Sequence, residues 1–149
     1  GGGLELALAA DLRIAAADSR FGIPAKRLGL VLGWDEVRGL VEAVGKAAAL
    51  RILLEGDIFD ADEALRLGLV SRLVAPADLA EEALAAARRI AEGAPLSARF
   101  HKAAIARVMQ PHPLTPEEEA QAYACFDTED YRRGCEAFMA KARPSFVGS

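Results

Sequence analysis

The sequence predicts an α/β fold in which short strands and helices share the first half of the chain and helices alone fill the second. Two observations lead to this prediction. Short apolar runs beside turn residues, which are typical of strands, end before residue 76, and longer apolar runs with helix-capping residues continue beyond it. The chain has 149 residues and is 52% hydrophobic, which is enough for one core. We therefore expect one domain, with its strand-containing part at 1–75 and its helical part at 76–149.

The predicted elements of the first half are bounded by turn or capping residues. Asp35 is the expected N-cap of a helix that Gly45 ends, and Gly56 ends the helix after it, because glycine readily adopts the backbone angles that close a helix. Asp60 followed by Glu63 has the pattern of a capping box at the start of a further helix. In chain order we expect a helix at 4–10, strands at 12–15 and 21–23, a loop or short helix at 26–33, helices at 35–44, 46–54 and after Asp60, and a strand at 69–74.

Helix signals dominate the second half. A long helix rich in Ala and Leu is expected at 76–92, and another at 96–109. Pro111-His112-Pro113 then breaks the chain, because proline removes a backbone donor and cannot continue a helix. The expected N-caps of the last two helices are Thr115, with Glu118 in the capping-box position, and Thr128 or Asp127.

Charge and cysteine content exclude several function classes. The net charge of −4 argues against a general attraction to nucleic acid or to a membrane surface. The sequence predicts neither a signal peptide nor a membrane-spanning run. Cys125 and Cys135 lack the spacing of a metal site, and two cysteines do not make a disulfide framework. We expect a cytoplasmic protein with buried or incidental thiols, no metal, and neither nucleic acid nor membrane as a partner.

The glycine triplet at the start of the sequence is the strongest functional signal. Gly1-Gly2-Gly3 runs directly into an apolar helix pattern that carries Glu5 in its first turn. Glycine lets the backbone approach a ligand closely, and the start of a helix presents unpaired N–H groups. Such a site suits an anion or a developing oxyanion, with Glu5 placed as a general acid or base. The alternative is a glycine cluster used only for close packing.

A glycine loop that feeds a helix normally has a strand before it. We therefore expect the chain to be the C-terminal portion of a longer domain whose N-terminal half is absent. Any site at Gly1 to Glu5 would then be only half present.

Three stretches occur in a fixed order along the chain. They are Gly1 to Ala15 followed by Phe21-Gly22-Ile23-Pro24, then Gly56 to Ala64 with Gly68-Leu69-Val70, and last Thr128-Glu129-Asp130 with Gly134, Ala137-Phe138 and Lys141. Together they resemble the enoyl-CoA hydratase/isomerase family, also called the crotonase family. The resemblance implies the C-terminal part of a crotonase-like spiral fold of ββα units, with a helical C-terminal region.

The resemblance also implies a chemistry for the triplet. Members of the family bind acyl-CoA thioesters and stabilise an enolate-like oxygen with two backbone N–H groups. The middle glycine, Gly2, corresponds to one donor, and an earlier strand and loop supplies the other. The resemblance further implies a CoA thioester as substrate, no other cofactor, and assembly into a homotrimer or hexamer.

Glu5 falls where the hydratases of this family carry the first of two catalytic glutamates. The second one follows the Phe–Gly–x–Pro turn, and this sequence has Ala25 there. Alanine has no proton to give or take, so the two-acid hydration mechanism is not intact at that position. Three alternatives follow: a lyase or isomerase of the enoyl-CoA hydratase/isomerase type, a non-catalytic acyl-CoA-binding or assembly subunit, and a truncated remnant without activity. Glu5 itself is alternatively a charged residue of a helix start.

A second acid has one other candidate position. Gly33-Trp34-Asp35-Glu36 occupies the loop in which several family members, dienoyl-CoA isomerases among them, place an active-site aspartate. One hypothesis is that Asp35 or Glu36 supplies the acid while Trp34 and Gly33 line the acyl pocket. The alternative is that Asp35 caps the next helix and Glu36 lies in its first turn.

Phe138 and Lys141 fall where the family contacts the adenine and the phosphates of CoA. Arg132, Arg133 and Arg143 could extend a basic patch around them. The alternative is a solvated basic face on the terminal helix, with Phe138 in the core.

Overall fold

The computed structural model describes residues 1–149. They divide into two compact units, Gly1–Ala83 and Leu84–Ser149. The first unit contains all four strands together with three complete helices and the start of a fourth. Its elements are α1 (Gly2–Leu8), β1 (Ile14–Ala16), β2 (Arg20–Phe21), α2 (Trp34–Glu55), β3 (Phe59–Asp60), α3 (Ala61–Arg66), β4 (Arg72–Val74) and α4 (Leu79–Ala91), with 3₁₀ turns at Ala25–Leu28 and Pro76–Asp78.

The strands form two short two-stranded sheets. β1 pairs with β4 in parallel, with Ile14 opposite Arg72, and β2 pairs with β3 antiparallel. The first pairing extends to Arg13, whose carbonyl accepts the Ser71 N–H at 2.9 Å and whose Nε donates to the Leu69 carbonyl at 2.6 Å. The strands predicted at 12–15 and 69–74 are confirmed in position but are shorter than expected. β3 was not predicted, because two residues carry no alternating pattern and pair only through β2.

The core of the first unit lies between α1, α2 and the strands. Ile23, Leu40 and Leu69 are its largest fully buried side chains. Helix α1 packs against α2 at Gly39, where an added Cβ would lie 3.9 Å from the Cβ of Leu8, an ordinary contact. The packing of these two helices positions the glycine triplet at the start of α1.

Helix α2 is interrupted at Gly45, whose φ of 75° and ψ of 164° are not helical. The two helices predicted on either side of this glycine are therefore confirmed. The predicted cap is wrong: Gly33 is the N-cap, and Asp35 lies inside the first turn, where it pairs with Arg38 at 3.2 Å. The helix begins one residue before Asp35 because Trp34 already has helical geometry.

Helix α3 begins at the predicted cap. The Asp60 carboxylate accepts a hydrogen bond from the Glu63 N–H at 2.9 Å. The reciprocal half of the capping box does not form, because the Glu63 carboxylate instead accepts from Arg66 at 2.6 Å and from Arg51. Arg51 lies in α2, so its bond to Glu63 connects α3 to the last turns of α2.

We expect the Glu63 cluster to make the stability of the first unit depend on acid pH. Hydrogen bonds from Arg66 and then Arg51 lower the pKa of Glu63 to about 2. This folded-state pKa lies below the unfolded value of about 4.3, so the contribution is present above about pH 5 and is lost as the pH falls toward about 2. Urea unfolding followed by circular dichroism checks this: Glu63→Gln should weaken the loss of stability between about pH 5 and 3.

The matched control for this prediction is Glu81→Gln, which removes an exposed carboxylate from α4 that forms no ion pair. That variant should keep the acid dependence of the unsubstituted chain. An identical pH dependence in Glu63→Gln and in the unsubstituted chain would contradict the prediction.

The second unit is helical throughout. It contains the rest of α4, then α5 (Pro95–Val108), α6 (Pro116–Gln121), a 3₁₀ turn at Ala124–Asp127, and α7 (Glu129–Met139). The capping box of Thr115 and Glu118 is confirmed, and Thr128 is the N-cap of α7. Arg107 joins α5 to α6 through two hydrogen bonds to Glu118, at 2.6 and 2.9 Å. None of the helices of the chain is both long enough and apolar enough to cross a membrane.

Candidate active site

The glycine triplet forms the beginning of α1. Gly1 is the N-cap, and its carbonyl accepts the first two bonds of the helix, from the N–H of Leu4 at 2.7 Å and of Glu5 at 3.3 Å. The N–H groups of Gly2 and Gly3 precede these bonds and are not used by the helix. A Cβ at either glycine would meet no heavy atom within 4 Å. Two backbone N–H groups that the helix does not use therefore belong to residues with open space beside their α-carbons.

The turn after β2 lies against this triplet. The backbone nitrogen of Gly1 donates to the carbonyl of Gly22. Gly22 has no space for a side chain, because a Cβ would lie 2.5 Å from the Asp57 carbonyl oxygen and 2.7 Å from Cδ1 of Ile58. The absence of a side chain at Gly22 thus lets three backbone segments meet.

An open cleft of about 480 Å³ lies over these segments. Gly1, Gly2 and Gly3 line one part of it, and Ser19 and Arg20 line another. The sequence pattern gave Ser19 and Arg20 no functional role. The signal that could have found them is their place immediately before the Phe21-Gly22 turn.

Glu5 is half-buried in the first turn of α1 and does not line the cleft. Its carboxylate forms no hydrogen bond or ion pair in the structure. Ala25 begins the 3₁₀ turn that follows the Phe–Gly–x–Pro segment, and it packs against the core. No carboxylate therefore occupies the position of the second family glutamate.

The residues predicted around the start of α2 do not join the glycine cleft. The Trp34 side chain is 88% exposed. The Asp35 carboxylate is exposed and held by Arg38, and a Cβ on Gly33 would meet the Glu36 carboxylate at 2.4 Å. None of these four residues lines the cleft.

Phe138 and Lys141 belong to the second unit. Phe138 lies in the last turn of α7 and is 81% exposed, so it is not a core residue. Lys141 is the one non-glycine residue of the chain with a positive φ, at 53°. It closes α7 with the bonds of a Schellman motif, from Ala142 N to the Ala137 carbonyl at 2.9 Å and from Lys141 N to the Phe138 carbonyl at 3.1 Å. A lysine at this position carries backbone strain that glycine would avoid.

Only some of the cations in the predicted basic patch are free of ion pairs. Arg132 pairs with Glu129 at 2.5 Å and also with Glu136, and Arg133 pairs with Glu129 at 2.8 Å. The hydrogen bonds from Arg132 and Arg133 lower the pKa of Glu129 to about 2. Lys141 and Arg143 form no ion pair. Only these two cations remain available to an anionic ligand in this part of the unit.

A cavity of about 410 Å³ lies beside α7. Its lining is mostly apolar and includes Phe138 and Phe146. Cys125 and Cys135 also line it, and both are free and exposed rather than buried. No group of three or more His, Cys, Asp or Glu side chains is arranged to hold a metal ion.

Comparison with known proteins relates the whole chain to one family. The family model described as enoyl-CoA hydratase/isomerase matches residues 1–149. The chain is 38% identical to a crotonyl-CoA hydratase of Syntrophomonas wolfei, covering 99% of this chain and 57% of that protein. It is 39% identical to an (E)-benzylidenesuccinyl-CoA hydratase of Thauera aromatica, covering 100% of this chain and 59% of that protein.

A solved structure from Magnetospirillum magneticum, described as an enoyl-CoA hydratase/carnithine racemase, superposes with a TM-score of 0.96 at 45% identity. The match covers 100% of this chain and 56% of that one, so the chain spans less than two thirds of the length of these relatives. This likeness confirms the crotonase-like α/β fold that the three sequence stretches implied. The chain belongs to the enoyl-CoA hydratase/isomerase (crotonase) family.

Proposed function

We propose that the glycine cleft binds the thioester group of an acyl-CoA and that the Gly2 N–H is one of two donors to its carbonyl oxygen. The observation that carries this proposal is a backbone donor, unused by its own helix, in an open cleft of a chain from this family. Negative charge grows on the thioester oxygen when a proton leaves the α-carbon, and fixed N–H dipoles stabilise that charge without reorganising. The second donor is proposed to come from polypeptide outside residues 1–149, since the relatives are longer than this chain.

The proposed reaction uses one carboxylate. Glu5 lies one turn from Gly2, and we assign to it the removal and return of the proton. Because Ala25 stands at the second acid position, the proposal favours proton transfer between two carbons of an enoyl-CoA, which one group can perform, over hydration by two acids. The roles predicted for Asp35 as a second acid and for Gly33 and Trp34 in the acyl pocket stay predictions, and this reaction does not use them because the Asp35 carboxylate is paired with Arg38.

A second candidate function is a non-catalytic acyl-CoA-binding or assembly subunit, and Ala25 is the observation that favours it. A turnover assay with enoyl-CoAs of graded chain length separates the enzyme from the binding subunit. Turnover is measured by loss of the enoyl thioester absorbance and by chromatography of isomeric products. The complete product of the gene that encodes this chain should be used. Turnover supports the enzyme, and calorimetric binding without turnover supports the binding subunit. Failure to bind any acyl-CoA would remove both.

Assembly into a homotrimer or hexamer is also part of the proposal. Several apolar side chains of the second unit are exposed, and they would be covered in an oligomer. They include Leu84, Ile90, Ile105, Val108 and Met109. Sedimentation equilibrium tests this, and a strictly monomeric protein would count against it.

Lys141 is proposed to contact the phosphates of CoA, with Phe138 beside the adenine.

We expect Lys141→Gly to stabilise the fold by about 0.5–1 kcal/mol, because glycine adopts positive φ without strain. The same change should weaken CoA binding about tenfold, because a cation that meets the phosphates is lost. Thermal unfolding and titration calorimetry with CoA measure the two effects. Lys141→Arg, the matched control, keeps both the charge and the strain and should change neither greatly. Unchanged affinity in Lys141→Gly would contradict the assignment.

A further inference from the structure

Asp130 is the one buried residue of the second unit, with 3% of its surface exposed. One carboxylate oxygen accepts the Val147 N–H at 2.7 Å, and the other accepts the Gly148 N–H at 3.0 Å. Its own N–H donates to the Ser149 carbonyl at 3.1 Å. A carboxylate buried in this way is compensated only by such hydrogen bonds. These three hydrogen bonds, which we call the Asp130 clasp, therefore hold the last residues of the chain against the first turn of α7.

The segment that reaches this clasp runs back along α7. The ring of Phe146 lies against Gly134, where an added Cβ would be 3.6 Å from the ring. Gly148 lies against Pro95 at the start of α5, where an added Cβ would be 3.7 Å from the proline ring. The chain leaves the C-terminal end of α7 and returns to its N-terminal end.

The loop that runs from Lys141 at the end of α7 to the Asp130 clasp is fixed at both ends. The Schellman turn at Lys141 fixes its beginning, and the Asp130 clasp fixes its end. Lys141 and Arg143 form no ion pair, and both lie in this loop. Closing a loop at both ends removes conformational freedom that a ligand would otherwise have to restrict on binding.

We infer that Asp130 is a positioning residue for nucleotide binding: it clasps the backbone of Val147 and Gly148, and the clasp holds Lys141 and Arg143 ready for the phosphates of CoA. Asp130 acts through the C-terminal segment and does not itself touch the ligand. The inference rests on the proposed function, because it takes CoA to be the ligand of the loop.

The test begins with Asp130→Asn in the full chain. An amide has one acceptor oxygen and cannot receive both N–H groups as the carboxylate does. The dissociation constant for CoA should rise about three- to tenfold, because the loop must be ordered on binding. Affinity for pantetheine, which lacks the nucleotide phosphates, should not change, whereas a merely structural defect would weaken both. Hydrogen exchange of the Val147 and Gly148 amides should accelerate, and the control Asp127→Asn should alter none of these.

Deletion of residues 144–149 provides a second variant that leaves Asp130 in place. It should raise the CoA dissociation constant by a similar factor, and adding Asp130→Asn to it should have no further effect. A further loss in the double variant would mean that Asp130 contacts the ligand, which overturns the inference. Fast amide exchange with unchanged CoA affinity in Asp130→Asn would also overturn it while leaving the proposed function intact. An unsubstituted chain that binds neither CoA nor pantetheine would instead contradict the proposed function itself.

Discussion

Replacing Gly2 by proline is expected to lower kcat/KM for an enoyl-CoA about 10²- to 10³-fold relative to Gly2→Ala, because proline removes the single N–H proposed to stabilise the thioester oxygen. Gly2 is the first helical residue after the Gly1 cap, and proline is favoured at this position because its missing N–H is not used by the helix. The variant therefore isolates one hydrogen-bond donor. The measurement is steady-state turnover by the complete gene product.

Gly2→Ala is the matched control, because a Cβ there meets no heavy atom within 4 Å and the N–H is retained. Both variants should bind CoA with similar affinity, since the donor acts on charge that develops during the reaction. Equal turnover by Gly2→Pro and Gly2→Ala would contradict the oxyanion role of this residue. If both variants were also slower than the unsubstituted protein, bulk in the cleft, rather than the donor, would limit the reaction.

The elements that sequence reasoning placed correctly are those fixed by local chemistry. Asp60 and Thr115 cap their helices because a short side chain reaches an N–H three residues later. Gly45 and Gly56 end helical segments because of their own backbone angles. The strand Phe59–Asp60 has no such local cause, because it exists only through its pairing with β2.

In the candidate site, too, the features that could be predicted are those formed by neighbouring residues, and the others depend on distant parts of the chain. The glycine triplet could be found from the sequence because its donors arise from consecutive residues. The Asp130 clasp could not, since its partners lie 17 and 18 residues away and contribute only backbone groups, which leave no mark in the sequence. Asp35 was assigned as a cap from its residue type, yet Gly33 occupies that position because Trp34 is already helical.

Replacing Gly22 by alanine is expected to destabilise the first unit by about 2–3 kcal/mol. The new Cβ would lie 2.5 Å from the Asp57 carbonyl oxygen, so backbone as well as the Ile58 side chain must move. Urea unfolding followed by far-ultraviolet circular dichroism measures the change. The single tryptophan is a poor reporter, because Trp34 is largely exposed in the folded chain.

Gly39→Ala is the control that separates this clash from the general effect of replacing glycine. Its Cβ would lie 3.9 Å from that of Leu8, an ordinary contact, and it sits within a helix, where alanine is favoured by up to about 1 kcal/mol. Opposite signs for the two variants would show that close backbone approach at Gly22 is required. Because the Gly22 carbonyl accepts a bond from Gly1, the same displacement should also disturb the cleft and weaken acyl-CoA binding. Unchanged stability of Gly22→Ala would mean that the backbone at Asp57 moves aside at no cost in free energy. The contact between Gly22 and Asp57 would then not be what holds the glycine cleft in place.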